Sequence, residues 1–125
     1  MTPKEHNGAS LAYLGDAVLE VLARHAVLQS GVQDAGKLNQ LALSYVRATA
    51  QSAAAERVLP FLTQEEEAMF RRGRNIHHLN TPKSASQKEY RQASGLESLF
   101  GYLYLEGQVE RAKELFSLAF PSDPT

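Results

Sequence analysis

Cysteine is absent from the 125 residues, so no disulfide framework and no thiolate zinc site can be drawn, and the composition fits a reducing cytoplasm. Also missing is any uninterrupted apolar run near the roughly 20 residues that a membrane span needs. The amino-terminal MTPKEHNGAS has no positively charged lead into an apolar stretch, which excludes the pattern of an export signal. The expectation is a soluble cytoplasmic protein without membrane contact. No repeat or low-complexity tract occurs, and strand-like alternation is scarce. What is present is 43% hydrophobic, enough to bury one core in a single domain spanning 1–125.

The net charge of −1 argues against a nonspecific polyanion binder, but its distribution is uneven. Between residues 71 and 91 stand Arg71, Arg72, Arg74, Lys83, Lys88 and Arg91 against the single acid Glu89, so that window carries +5 and the remainder −6.

Periodicity predicts helices almost throughout. The first covers about residues 8–30, with Leu11, Leu14, Val18, Val21, Leu22, His25 and Leu28 as its apolar stripe and Gly31 as its stop. A second runs from about 35 to 58, ending before Pro60. Thr63 and Glu66 form a capping-box pattern ahead of QEEEAMFRR, whose acids and arginines sit at the helix ends that favour them. GRNIHHLNTPKSAS, residues 73–86, reads as a loop. Ser84 and Gln87 offer a further cap for a helix over QKEYRQASGLESLFGYLYLE, with Leu96, Leu99, Phe100 and Leu103 inward. A last helix, QVERAKELFSLAF, stops at Pro121. The fold class is therefore all-α.

Two acids do not fit this scheme. With Leu14 set at 0° on the first helix, the stripe centres near about 20°, whereas Asp16 falls at about 200° and Glu20 at about 240°. Their neighbours on that far side are Ala9, Ala12, Tyr13, Ala23 and Val27. A helix apolar on two sides is packed on two sides, within its own fold or against another subunit. Either Glu20 pairs with Arg24 and Asp16 is a partly exposed residue near a helix crossing, or Asp16 shares a cleft with other acids, which calls for a hard divalent cation. Glu97 poses the same question among Ser94, Ser98 and Gly101.

SLAYLGDAVLEVLARHAVLQSG resembles the signature helix of ribonuclease III nuclease domains, and GLESLFGYLYLEG resembles their second acidic helix. Between them RGRN, TPK and YR match the compact subgroup called Mini-ribonuclease III, so the likeness covers about residues 7–107. The resemblance implies a homodimeric, helical endoribonuclease domain that hydrolyses double-stranded RNA with Mg²⁺, for which Mn²⁺ can substitute. It implies 5′-phosphate and 3′-hydroxyl ends and a role in maturing the large-subunit (23S) ribosomal RNA precursor, with a large-subunit ribosomal protein as a candidate helper. By the same likeness Asp16 and Glu97 are the catalytic and metal residues, and Tyr13 a dimer contact. Glu20 would orient a metal-bound water or hold Arg24.

Larger relatives carry acids where this chain has Ala9, Ala12 and Ser94, although the compact subgroup lacks them too. That departure leaves open a rival reading, an RNA-binding or ribosome-assembly protein of the same fold without catalysis. Larger relatives also append a double-stranded-RNA-binding domain for which this chain ends too early, so affinity is expected from the catalytic domain itself. Arg71, Arg72, Arg74 and Lys83 are the chief RNA-binding candidates, with His77, His78 and Lys88 behind them, because A-form RNA is gripped mainly through phosphates and 2′-hydroxyls.

Overall fold

The computed structural model describes residues 1–76 and 86–121. It contains α1 (Gly8–Leu28), α2 (Ala35–Val46), α3 (Ala48–Val58), α4 (Gln64–Arg74), α5 (Gln87–Leu105) and α6 (Val109–Ala119), and the described residues include no strand. Single 3-10 turns at Pro3–Glu5 and Leu59–Phe61 complete the architecture.

Local chemistry explains where the helices begin. Asn7 accepts from the Ser10 amide at 2.8 Å and Asp34 from the Lys37 amide at 3.0 Å, each satisfying a donor left free in a first helical turn. The Thr63–Glu66 capping box forms as the sequence predicts. On α5 the box is Ser86–Glu89 instead of Ser84–Gln87, and Ser84 lies outside the described residues. Gly31 and Gly107, at φ 80° and 72°, take up the left-handed turns that end α1 and α5.

Two further expectations are corrected. The helix predicted over 35–58 is broken at Arg47, whose extended backbone (φ −65°, ψ 145°) caps α2 and opens α3. The break lets α2 lie on α1 while α3 turns its buried Ala54, Ala55 and Val58 into the core shared with α5 and α6; one straight helix has no single face for both tasks. On α1 the buried line is Leu11, Gly15, Leu19, Ala23 and Val27. The larger residues chosen from the sequence stand beside it: Val21 is 66% exposed, Leu28 58%, and His25 is exposed instead of buried. The small residues win the interior because they let a second backbone come close.

That second backbone is α5, the central helix, packed against α1, α3, α4 and α6. Leu96, Leu99, Phe100 and Leu103 are fully buried, as their spacing predicts. The sixth helix is pinned by Arg111, which donates through Nε and Nη2 to both oxygens of the buried Glu66 at 2.8 Å and to the Phe61 carbonyl at 2.9 Å. The side-chain hydrogen bond from Arg111 holds the Glu66 carboxyl below its usual range despite burial. The displaced stripe of α1 (Leu14, Val18, Val21 and Leu22) forms one wall of a groove of about 760 Å³, opposite Tyr104, Val109 and Phe116.

Candidate active site

A glycine pair decides where the two suspect acids meet. A Cβ on Gly15 would run into the carbonyl of Glu97, and one on Gly101 into the carbonyl of Leu11. The helices α1 and α5 thus cross backbone to backbone, closer than side chains permit. Asp16 follows Gly15 in the chain, and Glu97 stands one turn before Gly101, so their carboxyl groups emerge together at the edge of the crossing. They share a hydrogen bond. Burial first, then that bond and the repulsion from Asp16, push the Glu97 carboxyl up to about 8. Asp16 itself is exposed and Glu97 half-buried, so the pair lies at the rim of the core, open to a ligand on one side.

Small side chains hold this arrangement on its other flank. Gly73 of α4 fits where a Cβ would strike Ser98 and the Ser94 carbonyl, and the Ser98 hydroxyl donates to the Met69 carbonyl at 2.9 Å. The α4–α5 contact is consequently close as well, though less so than the α1–α5 one, and Glu97 sits on a helix clamped from both sides. Ser94, Ala9 and Ala12 offer no carboxylate, and among the described residues no group of three His, Asp or Glu side chains could hold an ion.

The remaining predicted residues fall into distinct settings. Glu20 accepts from Arg24 Nε at 3.1 Å across one turn, the plainer of its two expected roles. Tyr13 is 85% exposed. Arg72, predicted to face RNA, turns its Nη1 to the Lys4 carbonyl at 2.6 Å and the His6 carbonyl at 2.8 Å, tying the amino-terminal turn to α4. Arg71 pairs loosely with Glu67 at 3.5 Å, and Arg74 donates through Nε to the Asn75 side chain at 3.4 Å. Lys88 is exposed on the first turn of α5. His77, His78 and Lys83 lie outside the described residues. Arg91, noticed in the sequence only as part of the charge count, stands beside Lys88 and Arg74 on one depression.

The family profile described as Ribonuclease III domain matches residues 9–108. The chain belongs to the ribonuclease III family. A Mini-ribonuclease 3 of Symbiobacterium thermophilum is 46% identical to it over 110 residues, 88% of this chain and 85% of that protein. One from Enterococcus faecalis is 41% identical over 116 residues, 91% of this chain and 88% of that protein. A crystal structure of a Fusobacterium nucleatum protein superimposes with a TM-score of 0.85 at 29% identity, covering 94% of this chain and 96% of that one. The all-α ribonuclease III-like fold and the compact Mini-ribonuclease III kinship expected from the motifs are therefore met, and the chain is an endoribonuclease of that family. Among the described residues no helix is long and apolar enough to cross a membrane.

Proposed function

We propose that this ribonuclease III domain cuts double-stranded RNA in a magnesium-dependent reaction and that its substrate is the precursor of large-subunit ribosomal RNA. The observation that supports the reading is the convergence of Asp16 and Glu97 at the glycine crossing, where burial and the neighbouring Asp16 push the Glu97 carboxyl up to about 8. Two acids forced together in this way suit a hard divalent cation, which relieves the same repulsion the proton relieves. Mg²⁺ commonly takes one or two carboxylates and completes its shell with waters and substrate phosphate oxygens. The donor set fits one ion whose remaining ligands come from water and RNA; Mn²⁺ accepts the same oxygens.

When bound, the ion supplies an acidified water and positive charge facing the phosphate. The chain's own contribution is geometric. Asp16 and Glu97 hold the oxygens at a separation that the α1–α5 crossing fixes. Releasing Glu20 to orient a water requires breaking an exposed ion pair, a cost of under about 1 kcal/mol. Arg71, Arg74 and Lys88 are assigned to the RNA backbone, joined by Lys83, His77 and His78, while Arg72 stiffens the end of α4. A second copy is proposed to cover the apolar groove beside α1, whereas the exposed Tyr13 stands on the other side of that helix, outside the groove lining. Twofold symmetry then sets one active site to each RNA strand. A large-subunit ribosomal protein remains the candidate helper.

The test is cleavage of a long RNA duplex with Mg²⁺ and with EDTA. Metal-dependent fragments are expected from the wild type, and Asp16→Asn or Glu97→Gln is expected to lose at least about a hundredfold in rate, more than losing a residue that merely orients a ligand. Circular dichroism of the variants should be unchanged. Binding without cutting by the wild type would favour the rival, an inactive RNA-binding protein.

A further inference from the structure

On a face of α5 turned away from Glu97 lies a depression of about 450 Å³ between the end of α4 and the first turns of α5. Its rim is cationic, formed by Arg74, Lys88 and Arg91, and its polar lining is completed by Asn75, Gln87 and Gln92. Gln92 is only 8% exposed. Its Nε2 donates to the Glu56 carboxylate at 3.4 Å, which fixes the amide's orientation, because the carbonyl end facing Glu56 would be repelled. The opposite end, Oε1, is buried without a hydrogen-bond partner. Such an atom carries the desolvation penalty of an unmade bond. Arg74, Lys88 and Arg91 line the same depression as Gln92, whose Oε1 takes a hydrogen bond from none of them.

We propose that this depression is a ribose-phosphate subsite in which Arg74, Lys88 and Arg91 take a phosphate and Gln92 Oε1 accepts the neighbouring 2′-hydroxyl. The inference rests on the double-stranded-RNA reading above and adds to it the group by which the domain separates RNA from DNA. A nucleic-acid backbone offers an anion every nucleotide, and only ribose sets a hydroxyl donor next to it. Deoxyribose leaves Oε1 unsatisfied in a closed site, so discrimination arises from an unmade bond and needs no clash. Glu97 and Arg91 share the rigid α5, about 9 Å apart along its axis at the helical rise. The subsite therefore holds a fixed register to the scissile position.

The experiment measures binding, in EDTA to prevent cleavage, of the full chain to an RNA duplex of about twenty base pairs. Single 2′-deoxy substitutions are walked along one strand. For the wild type, one position is expected to lose about fivefold in affinity, the worth of one neutral hydrogen bond. That penalty should vanish in Gln92→Met while the rest of the profile stays. Should Gln92→Met fail to fold, Glu56→Ala on the exposed face of α3 unpins the amide and should shrink the same penalty. Arg91→Ala is expected to reduce the log-log salt slope by roughly one, without regard to sequence. An identical deoxy profile in wild type and variant overturns the assignment of Gln92, and an unchanged salt slope overturns that of Arg91. A wild type that neither binds nor cuts any duplex would instead remove the underlying RNA reading.

Discussion

Glu97 carries a consequence that can be read without substrate. A carboxyl whose folded pKa is raised from 4.5 to about 8 keeps its proton where the unfolded chain has already released one. Folded protein then binds more protons between those values, so its stability falls as pH rises from about 4.5 to about 8. Melting in EDTA across that range should show the loss, and Glu97→Gln should remove it. Mg²⁺ competes with the same proton, so apparent metal affinity should climb with pH and level off above about 8. Calorimetric titration at several pH values checks this; a pH-independent affinity would deny that the ion displaces the Glu97 proton. Arg72 shows the limit of reading single residues from charge: its position in a basic run pointed outward, yet its guanidinium serves two carbonyls of its own chain.

The helix pairs determine whether the acids meet. Gly101→Ala is conservative by volume but puts a methyl group against the Leu11 carbonyl, which neither helix can yield cheaply because both are backbone at that point. The expected cost is about 1–3 kcal/mol in urea unfolding, accompanied by loss of cleavage well beyond the loss of folded protein. A variant as active as the wild type would mean that the crossing is not what sets the carboxyl spacing. Further along the chain, α6 depends on Arg111. Arg111→Met strands the buried Glu66 without its guanidinium, and the midpoint of unfolding should fall by an amount equivalent to about 3 kcal/mol. Because the Glu66 carboxyl is held below its normal value of 4.5, that contribution is present above pH 4.5 and disappears as pH drops through the folded value.

At the scale of the whole molecule, the groove beside α1 leaves large apolar side chains uncovered. Val21, Tyr104 and Val109 are 66%, 54% and 43% exposed, and burying a residue of this size contributes roughly 1.5–3 kcal/mol. If a second copy covers them, Val21→Glu should convert the dimer to a monomer in light scattering while leaving the helical content intact. It should also weaken duplex cleavage, since one subunit reaches only one strand. A monomeric wild type would refute the dimer and leave the carboxyl pair untouched.

The all-helical pattern, the Thr63–Glu66 cap and the interior line of α5 were legible because they depend on neighbours within four residues, which periodicity and end chemistry report directly. Leu96, Leu99, Phe100 and Leu103 needed no partner to be assigned inward. The motif likeness singled out Asp16 and Glu97, but their meeting is a property of two backbones separated by eighty positions. On α1 the sequence offered two apolar faces and no means to choose: the bulkier one was selected, whereas close packing favoured Gly15, Leu19 and Ala23. The break at Arg47 and the bent role of Arg72 were hidden for the same reason, since each answers a neighbour remote in the chain. Sequence alone determined the helical class and the inward line of α5; tertiary packing decided the break at Arg47 and which faces met, because contact energy depends on distance in space.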